Sequence, residues 1–407
     1  MLLFISDVQP SLLRHLLTNP SVYEILQQAI ESRVTKSEAY QLMEECPTGM
    51  LLMAACRIRD RSKPSIITYS RKVFINIVNL CRDTCSYCTY KKQPGDALLS
   101  MLNPDQVLAI AESGKKSRCT EALFVTGERP EQGYEQARTW LHSLGYRSTV
   151  EYMCHMSEVV LEKTGLFPHT NAGSLTKKEI SMLQGTNVSL GVMLETSSER
   201  LMEKGMPHED APSKHPKVRM KTLKSAGELR MPMTTGLLVG IGETQEELID
   251  SLFVIRQLHE KYGHIQEVIM QNFAPKPKTG MAQFQPTPQE YFLRSVAIAR
   301  IVMPNMNIQV PPNLHPNIFG HYISAGINDW GGISPITIDH VNPEFPWPSV
   351  KLVKKVTESK GHRLRARLPI YPEFLKGGFI TPERLQKYTS LITDSSGLVK
   401  EDYYVNN

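Results

Sequence analysis

The sequence predicts an α/β protein, a closed barrel of eight repeated βα units with a helical N-terminal cap, and three observations carry that reading. From Val73 onward, short apolar runs of strand character alternate with amphipathic helical stretches, the pattern of parallel βα units. The helical stretches open repeatedly on the same capping chemistry. The runs number eight, the count at which such a barrel closes.

Residues 1–65 read as a helical extension. Pro10 and Ser11 open LLRHLLTNP, and Thr35-Lys36-Ser37-Glu38 precedes a long helical stretch. Residues 66–375 hold the barrel. Its strands are expected at Val73–Val78, Glu121–Thr126, Phe167–Asn171, Val188–Glu195, Met233–Gly240, Ile265–Asn272, Asn307–Pro312 and roughly Gly326–Ile333. Thr176 with Glu179, Thr244 with Glu247, and Thr287 with Glu290 have capping-box spacing, and Asn103 with Gln106 is a variant of it. After Thr244, Leu248, Leu252, Ile255 and Tyr262 fall on one helical face, and Gly263 stands where that helix should stop. Residues 376–407 form a tail, expected to pack on the barrel or to be partly flexible.

Composition narrows the function. With 407 residues, 41% of them hydrophobic and 21% charged, the chain has the make-up of a globular protein with a large core. The net charge of +5 is scattered over short patches such as Lys91-Lys92, Lys115-Lys116 and Lys354-Lys355. No aromatic-interleaved basic stripe exists, so no nucleic-acid partner is expected. There is no apolar run of about 18 residues, so no membrane partner is expected either. The N-terminus lacks the basic segment of a secretion signal, which gives a cytoplasmic expectation. Seven cysteines, three of them within eight residues, resemble a metal site in a reducing compartment more than a disulfide framework.

The chemistry concentrates after the first barrel strand, in Cys81-Arg-Asp-Thr-Cys85-Ser-Tyr-Cys88. Three thiols on one loop can converge on a cluster and leave one iron without a protein ligand, open to a substrate. A structural zinc site, completed by a residue such as His155, is the competing reading. Cys46, Cys56, Cys119 and Cys154 lack metal spacing and read as core or incidental.

The C-x3-C-x2-C spacing resembles the radical S-adenosylmethionine superfamily, in which an aromatic residue, here Tyr87, commonly precedes the last cysteine. The resemblance implies a TIM-type radical SAM barrel, a 4Fe-4S cluster on Cys81, Cys85 and Cys88, and S-adenosyl-L-methionine as cofactor. Thr126-Gly127-Glu128 is similar to the superfamily's Gly-Gly-Glu motif, which receives the methionine amino group. Glu195 and Arg219 match the carboxylate and arginine that contact the cofactor in related barrels. Gly240-Ile241-Gly242 is similar to the adenine-binding element after the fifth strand.

A narrower resemblance lies in YSRKVFINIVNLCRDTCSYCTY, EALFVTGERPE, PHTNAG, TTGLLVGIGET, HIQEVIMQNF, PPNL and AGINDWGG. Together these resemble the FO synthase subunit 1 family, over roughly Thr68 to Glu373. That resemblance implies a lyase that converts 5-amino-5-(4-hydroxybenzyl)-6-(D-ribitylimino)uracil to a deazaflavin, releasing ammonia, 5'-deoxyadenosine and methionine. Its partners would be a separate adduct-forming subunit 2 and an electron donor such as flavodoxin or ferredoxin. Polar residues at strand ends are the substrate candidates: His169, Asn171, Gln271, Asn272, Asn313, Asn328 and Asp329. Two alternatives remain, the adduct-forming partner itself and a non-catalytic metal-binding module.

Overall fold

The structure, a computed structural model, describes residues 20–63, 65–380 and 382–404. The helix expected from Pro10 lies outside the described residues. The barrel strands are β1 (Ile66–Val78), β2 (Glu121–Thr126), β3 (Phe167–Asn171), β4 (Ser189–Gly191), β5 (Met233–Val239), β6 (Ile265–Asn272), β7 (Asn307–Gln309) and β8 (Asp329–Ile333). Every pairing between them is parallel, and β1 joins β2 on one side and β8 on the other, closing the barrel.

Alternation along each strand divides two environments. On β1, Val73, Ile75 and Ile77 pack outward with Val107 and Ala111 of the helix Pro104–Lys116. Lys72 and Phe74 face the interior cavity. The helices hold the termini that the sequence announces. Thr35, Asn103, Thr176 and Thr244 each make a complete capping box, and Gly263 ends its helix in the left-handed region at φ 67°.

Three features depart from expectation. Thr287 caps no helix; its hydroxyl donates to the Val239 and Phe273 carbonyls, 2.8 and 3.1 Å away, tying the β5 and β6 ends together. The fourth strand is shorter than its apolar run, because the chain leaves the ladder after Gly191 and Glu195 takes a left-handed φ of 65°. A ninth strand, β9 (Arg363–Arg367), pairs parallel with the first half of β1, from Ile66 to Ser70.

β9 and the segment after it close the amino-terminal end of the barrel. Arg367 reaches Asp329 at 2.7 Å and Glu267 at 3.1 Å, all three side chains being almost fully buried. The Tyr371 hydroxyl donates to Glu267 at 2.7 Å. The Pro369 carbonyl accepts from Ser189 and Gln266. With these contacts across that end, the cavity lies where the strands finish, the end at which barrel sites form.

Candidate active site

A cavity of about 320 Å³ occupies the carboxyl ends of the strands. Cys81, Cys85 and Cys88 line one wall, together with Tyr87, Gly127, Glu128, Glu195 and Arg219. Asn171, Gln271 and Asn272 also line it, as do Lys72, Thr234 and Gln309. The fold thus brings most of the residues singled out in the sequence to one space.

The cysteine loop is fixed from several directions. The Thr84 N–H donates to the Asp210 carbonyl at 2.7 Å, the Ser86 N–H to the Pro207 carbonyl at 2.9 Å, and Met281 donates back to Ser86 at 2.9 Å. The loop after β2 adds two more ties: the Glu128 N–H donates to Cys81 Sγ at 3.2 Å, and the Arg82 N–H to the Glu128 carbonyl at 2.8 Å. Gly127 is required sterically, since a Cβ there would lie 2.0 Å from the Leu80 carbonyl oxygen. Thr126-Gly127-Glu128 is therefore a strut for the cysteine loop as well as part of the cavity wall.

All seven cysteines are unpaired. Burial pushes the Cys81 thiol up to about 11 and the Cys85 thiol up to about 12, Lys214 opposing the rise at Cys85. Such thiols hold their protons until a cationic centre replaces them. Among the described residues no three His, Cys, Asp or Glu side chains gather as for a single ion. A cubane suits the triplet better than zinc, because each thiolate then takes a different iron around a shared space. His155, the fourth ligand that the zinc reading required, instead bonds Tyr146 and is absent from the cavity lining.

Charge on the cavity wall comes in two buried pairs. Glu128 meets Arg219 at 3.4 Å and also accepts the Ser174 N–H at 3.0 Å. Burial raises the Glu128 carboxyl above its usual range, and Arg219 counters it. Glu195 is bonded to Lys214, whose amine is held above its ordinary value by that carboxylate despite a large opposing effect of burial. The Tyr87 hydroxyl meets His208 Nε2 at 2.9 Å; burial lowers His208 to about 3 and keeps it neutral. Neither Lys214 nor His208 carries a motif, and only proximity to the cysteine loop marks them.

Other candidates fall elsewhere. Gly240 and Gly242 lie on the turn after β5, with φ of 94° and 110°, outside the cavity lining. There the Glu243 carboxylate accepts the Gly240 and Ile241 N–H groups. His169 sits within the barrel between Ser189 and Asn171 and is lowered by burial to about 4. Asn313 does not line the cavity; it donates to Asp339 and to the Phe345 carbonyl, supporting the loop after β8. Asn328 and Asp329 stand at the opposite end from the site, because β8 starts rather than finishes there. Asn328 bonds Arg300, Asn307 and the Ile308 N–H, and Asp329 holds Arg367.

A closed βα barrel with a C-x3-C-x2-C loop at the end of its first strand defines a radical SAM enzyme, and the Radical SAM superfamily profile matches residues 75–255. A 7,8-didemethyl-8-hydroxy-5-deazariboflavin synthase of Methanopyrus kandleri is 45% identical over 336 residues, 82% of this chain and 100% of that protein. The chain belongs to the 7,8-didemethyl-8-hydroxy-5-deazariboflavin synthase (FO synthase) family. A synthase of the same name from Methanocaldococcus jannaschii is 39% identical over 87% of this chain and 97% of its own length. The FO synthase of Mycobacterium tuberculosis is 44% identical over 86% of this chain, which spans only 43% of that longer protein.

Among solved structures, the FeFe-hydrogenase maturase HydG from Carboxydothermus hydrogenoformans has a TM-score of 0.71 at 17% identity, over 95% of this chain and 90% of that one. Methylornithine synthase has a TM-score of 0.66 at 17% identity, over 84% of this chain and 97% of that one. Both likenesses are of fold. Enzymes of this superfamily use a 4Fe-4S cluster and S-adenosylmethionine, and this chain takes the same two cofactors. No helix among the described residues is long and apolar enough to cross a membrane.

Proposed function

We propose that the chain closes the third ring of a deazaflavin, converting the hydroxybenzyl-ribityliminouracil adduct to 7,8-didemethyl-8-hydroxy-5-deazariboflavin with loss of ammonia. The observation that carries this reading is one cavity lined both by the three thiols and by the side-chain amides of Asn171, Gln271 and Asn272. Both side-chain amide atoms of Asn272 are buried without a partner among the described residues. A buried amide left in that state costs on the order of 1–3 kcal/mol, and the edge of a uracil would satisfy its donor and acceptor together.

In this reading Cys81, Cys85 and Cys88 hold the cluster. Tyr87, Gly127, Glu128, Glu195 and Arg219, joined by Lys214, receive S-adenosylmethionine. Bound together, the two cofactors would supply the radical chemistry for hydrogen abstraction. The protein orients the adduct through Asn171, Gln271 and Asn272, and the sealed lower end of the barrel keeps water from entering there. A separate subunit would make the adduct, and the longer Mycobacterium relative, of which this chain spans 43%, supports that division. A flavodoxin or ferredoxin would supply the electron.

The anaerobically reconstituted chain, given the adduct, S-adenosylmethionine and a reductant, should form fluorescent deazaflavin, 5'-deoxyadenosine, methionine and ammonia. Given tyrosine and the ribitylamino-uracil instead, it should form no deazaflavin. Consumption of tyrosine by this chain alone, or an untouched adduct beside cleaved cofactor, would overturn the reading.

A further inference from the structure

Lys72 has no part in the cluster wall or in the charge pairs beside it. It lies on β1, faces the cavity, and is only 8% exposed. Among the described residues its amine makes no hydrogen bond or ion pair; its neighbours are the faces of Trp347, 4.7 Å from nitrogen to ring centroid, and Phe74, at 5.4 Å. Gly332 makes room for it, since a Cβ there would sit 2.3 Å from Lys72 Cδ. Trp347 also lines the cavity, and among the described residues its buried indole N–H has no partner. A long amine has thus been placed in an aromatic slot at a substrate-sized cavity, with its nitrogen free to meet a ligand.

We propose that Lys72 is the proton-transferring residue of the ammonia elimination that accompanies ring closure, taking a benzylic proton of the adduct and delivering a proton to its departing amino nitrogen. The proposal rests on the deazaflavin reading above. The step is an elimination without net oxidation. The Lys72 amine takes the proton from the carbon between the aryl ring and the amine-bearing carbon. The electron pair of that C–H bond becomes a carbon–carbon double bond as the C–N bond breaks with its pair going to nitrogen. The Lys72 ammonium protonates that nitrogen as the bond breaks, so ammonia leaves and the amine is restored.

The surroundings suit this cycle. Burial lowers the basicity of Lys72 and favours the free amine that must act first. Glu121 on β2, Glu267 on β6 and Asp339 in the loop after β8 oppose that lowering and would steady the ammonium formed next, while Arg367 at the end of β9 adds to the lowering. His169 on β3 is held neutral. Among the cationic side chains of the cavity, Lys214 and Arg219 are committed to carboxylates and Lys276 donates to the Val341 carbonyl at 3.0 Å, which leaves Lys72 as the amine available for exchange.

The test compares wild type, Lys72→Met and Lys72→Arg, all anaerobically reconstituted, with the adduct as substrate. Lys72→Met should keep its iron content and S-adenosylmethionine affinity. Its deazaflavin rate should fall by about 10²–10⁴-fold, the usual worth of a positioned acid-base group, with more deoxyadenosine formed per deazaflavin. The wild-type rate should rise with pH through an ionisation below that of ordinary lysine, and neither variant should show that step. Lys72→Arg keeps a cation on the same aromatic faces but holds its proton, so it should be nearly as slow as Lys72→Met. Wild-type rates in Lys72→Arg, or a wild-type profile without that ionisation, would overturn proton transfer even if Lys72→Met failed to fold. If the wild type makes no deazaflavin from the adduct, the underlying reading falls, whatever the variants do.

Discussion

Arg219 serves two partners at once. Its guanidinium donates to the Ser213 carbonyl at 2.7 Å and approaches Glu128 at 3.4 Å, with both side chains almost fully buried. Removing it leaves a buried carboxylate beside one backbone donor, a change that typically costs about 3–5 kcal/mol. Arg219→Met should therefore lower the unfolding midpoint and weaken S-adenosylmethionine binding while the cysteines still load iron. Calorimetry of the folded variant measures both effects, and unchanged affinity would remove Arg219 from the cofactor site. The thiols were marked by a short motif, whose chemistry survives without knowledge of the fold, and this arginine by its match to related barrels. It did not mark Lys72, which falls one residue before the expected start of the first strand; β1 begins at Ile66, and its alternation carries Lys72 to the same inward face as Phe74.

At the scale of elements, the site depends on two loops braced against each other. The loop after β2 approaches the cysteine loop so closely that only glycine fits at position 127. Gly127→Ala should separate them and reduce iron loading several-fold. Gly49→Ala, where nothing lies within 4 Å of the new methyl group, should load normally. Equal iron content in the two variants would show that the strut is dispensable. The strands themselves were largely legible because β1, β2 and β5 carry largely apolar runs, Val73–Val78, Ala122–Val125 and Leu237–Val239, between helical stretches. What escaped was non-local. The pairing of β9 with β1 depends on residues nearly 300 positions apart. The assignment of Asn328 and Asp329 to the active end failed because a run around β8 does not reveal which end of the barrel its polar residues occupy.

The molecule as a whole buries histidines in their neutral form. Burial lowers His169 and His264 to about 4 and His208 to about 3, against the ordinary value of about 6.5. The unfolded chain therefore binds more protons at these positions between those limits. Their contribution to stability is complete above about pH 6.5 and is lost as the pH falls toward the folded values. Glu128, Glu243 and Glu267, whose carboxyls are raised by burial, shift the balance the other way and offset part of the loss. The unfolding midpoint should drop between pH 7 and pH 5, and a midpoint that stays level or rises across that range would contradict the neutral histidines.

The site depends on Cys81, Cys85 and Cys88 holding one 4Fe-4S cluster that meets S-adenosylmethionine in the cavity at the carboxyl ends of the strands. Its most direct test is metal and sulfide analysis of the anaerobically purified chain, joined to electron paramagnetic resonance of the reduced protein with and without S-adenosylmethionine. The expected result is about four irons and four sulfides per chain, lost in Cys85→Ala and kept in Cys119→Ala, and a resonance that changes when S-adenosylmethionine is added. A single tightly bound zinc without iron, or a cluster whose resonance is indifferent to S-adenosylmethionine, would contradict it.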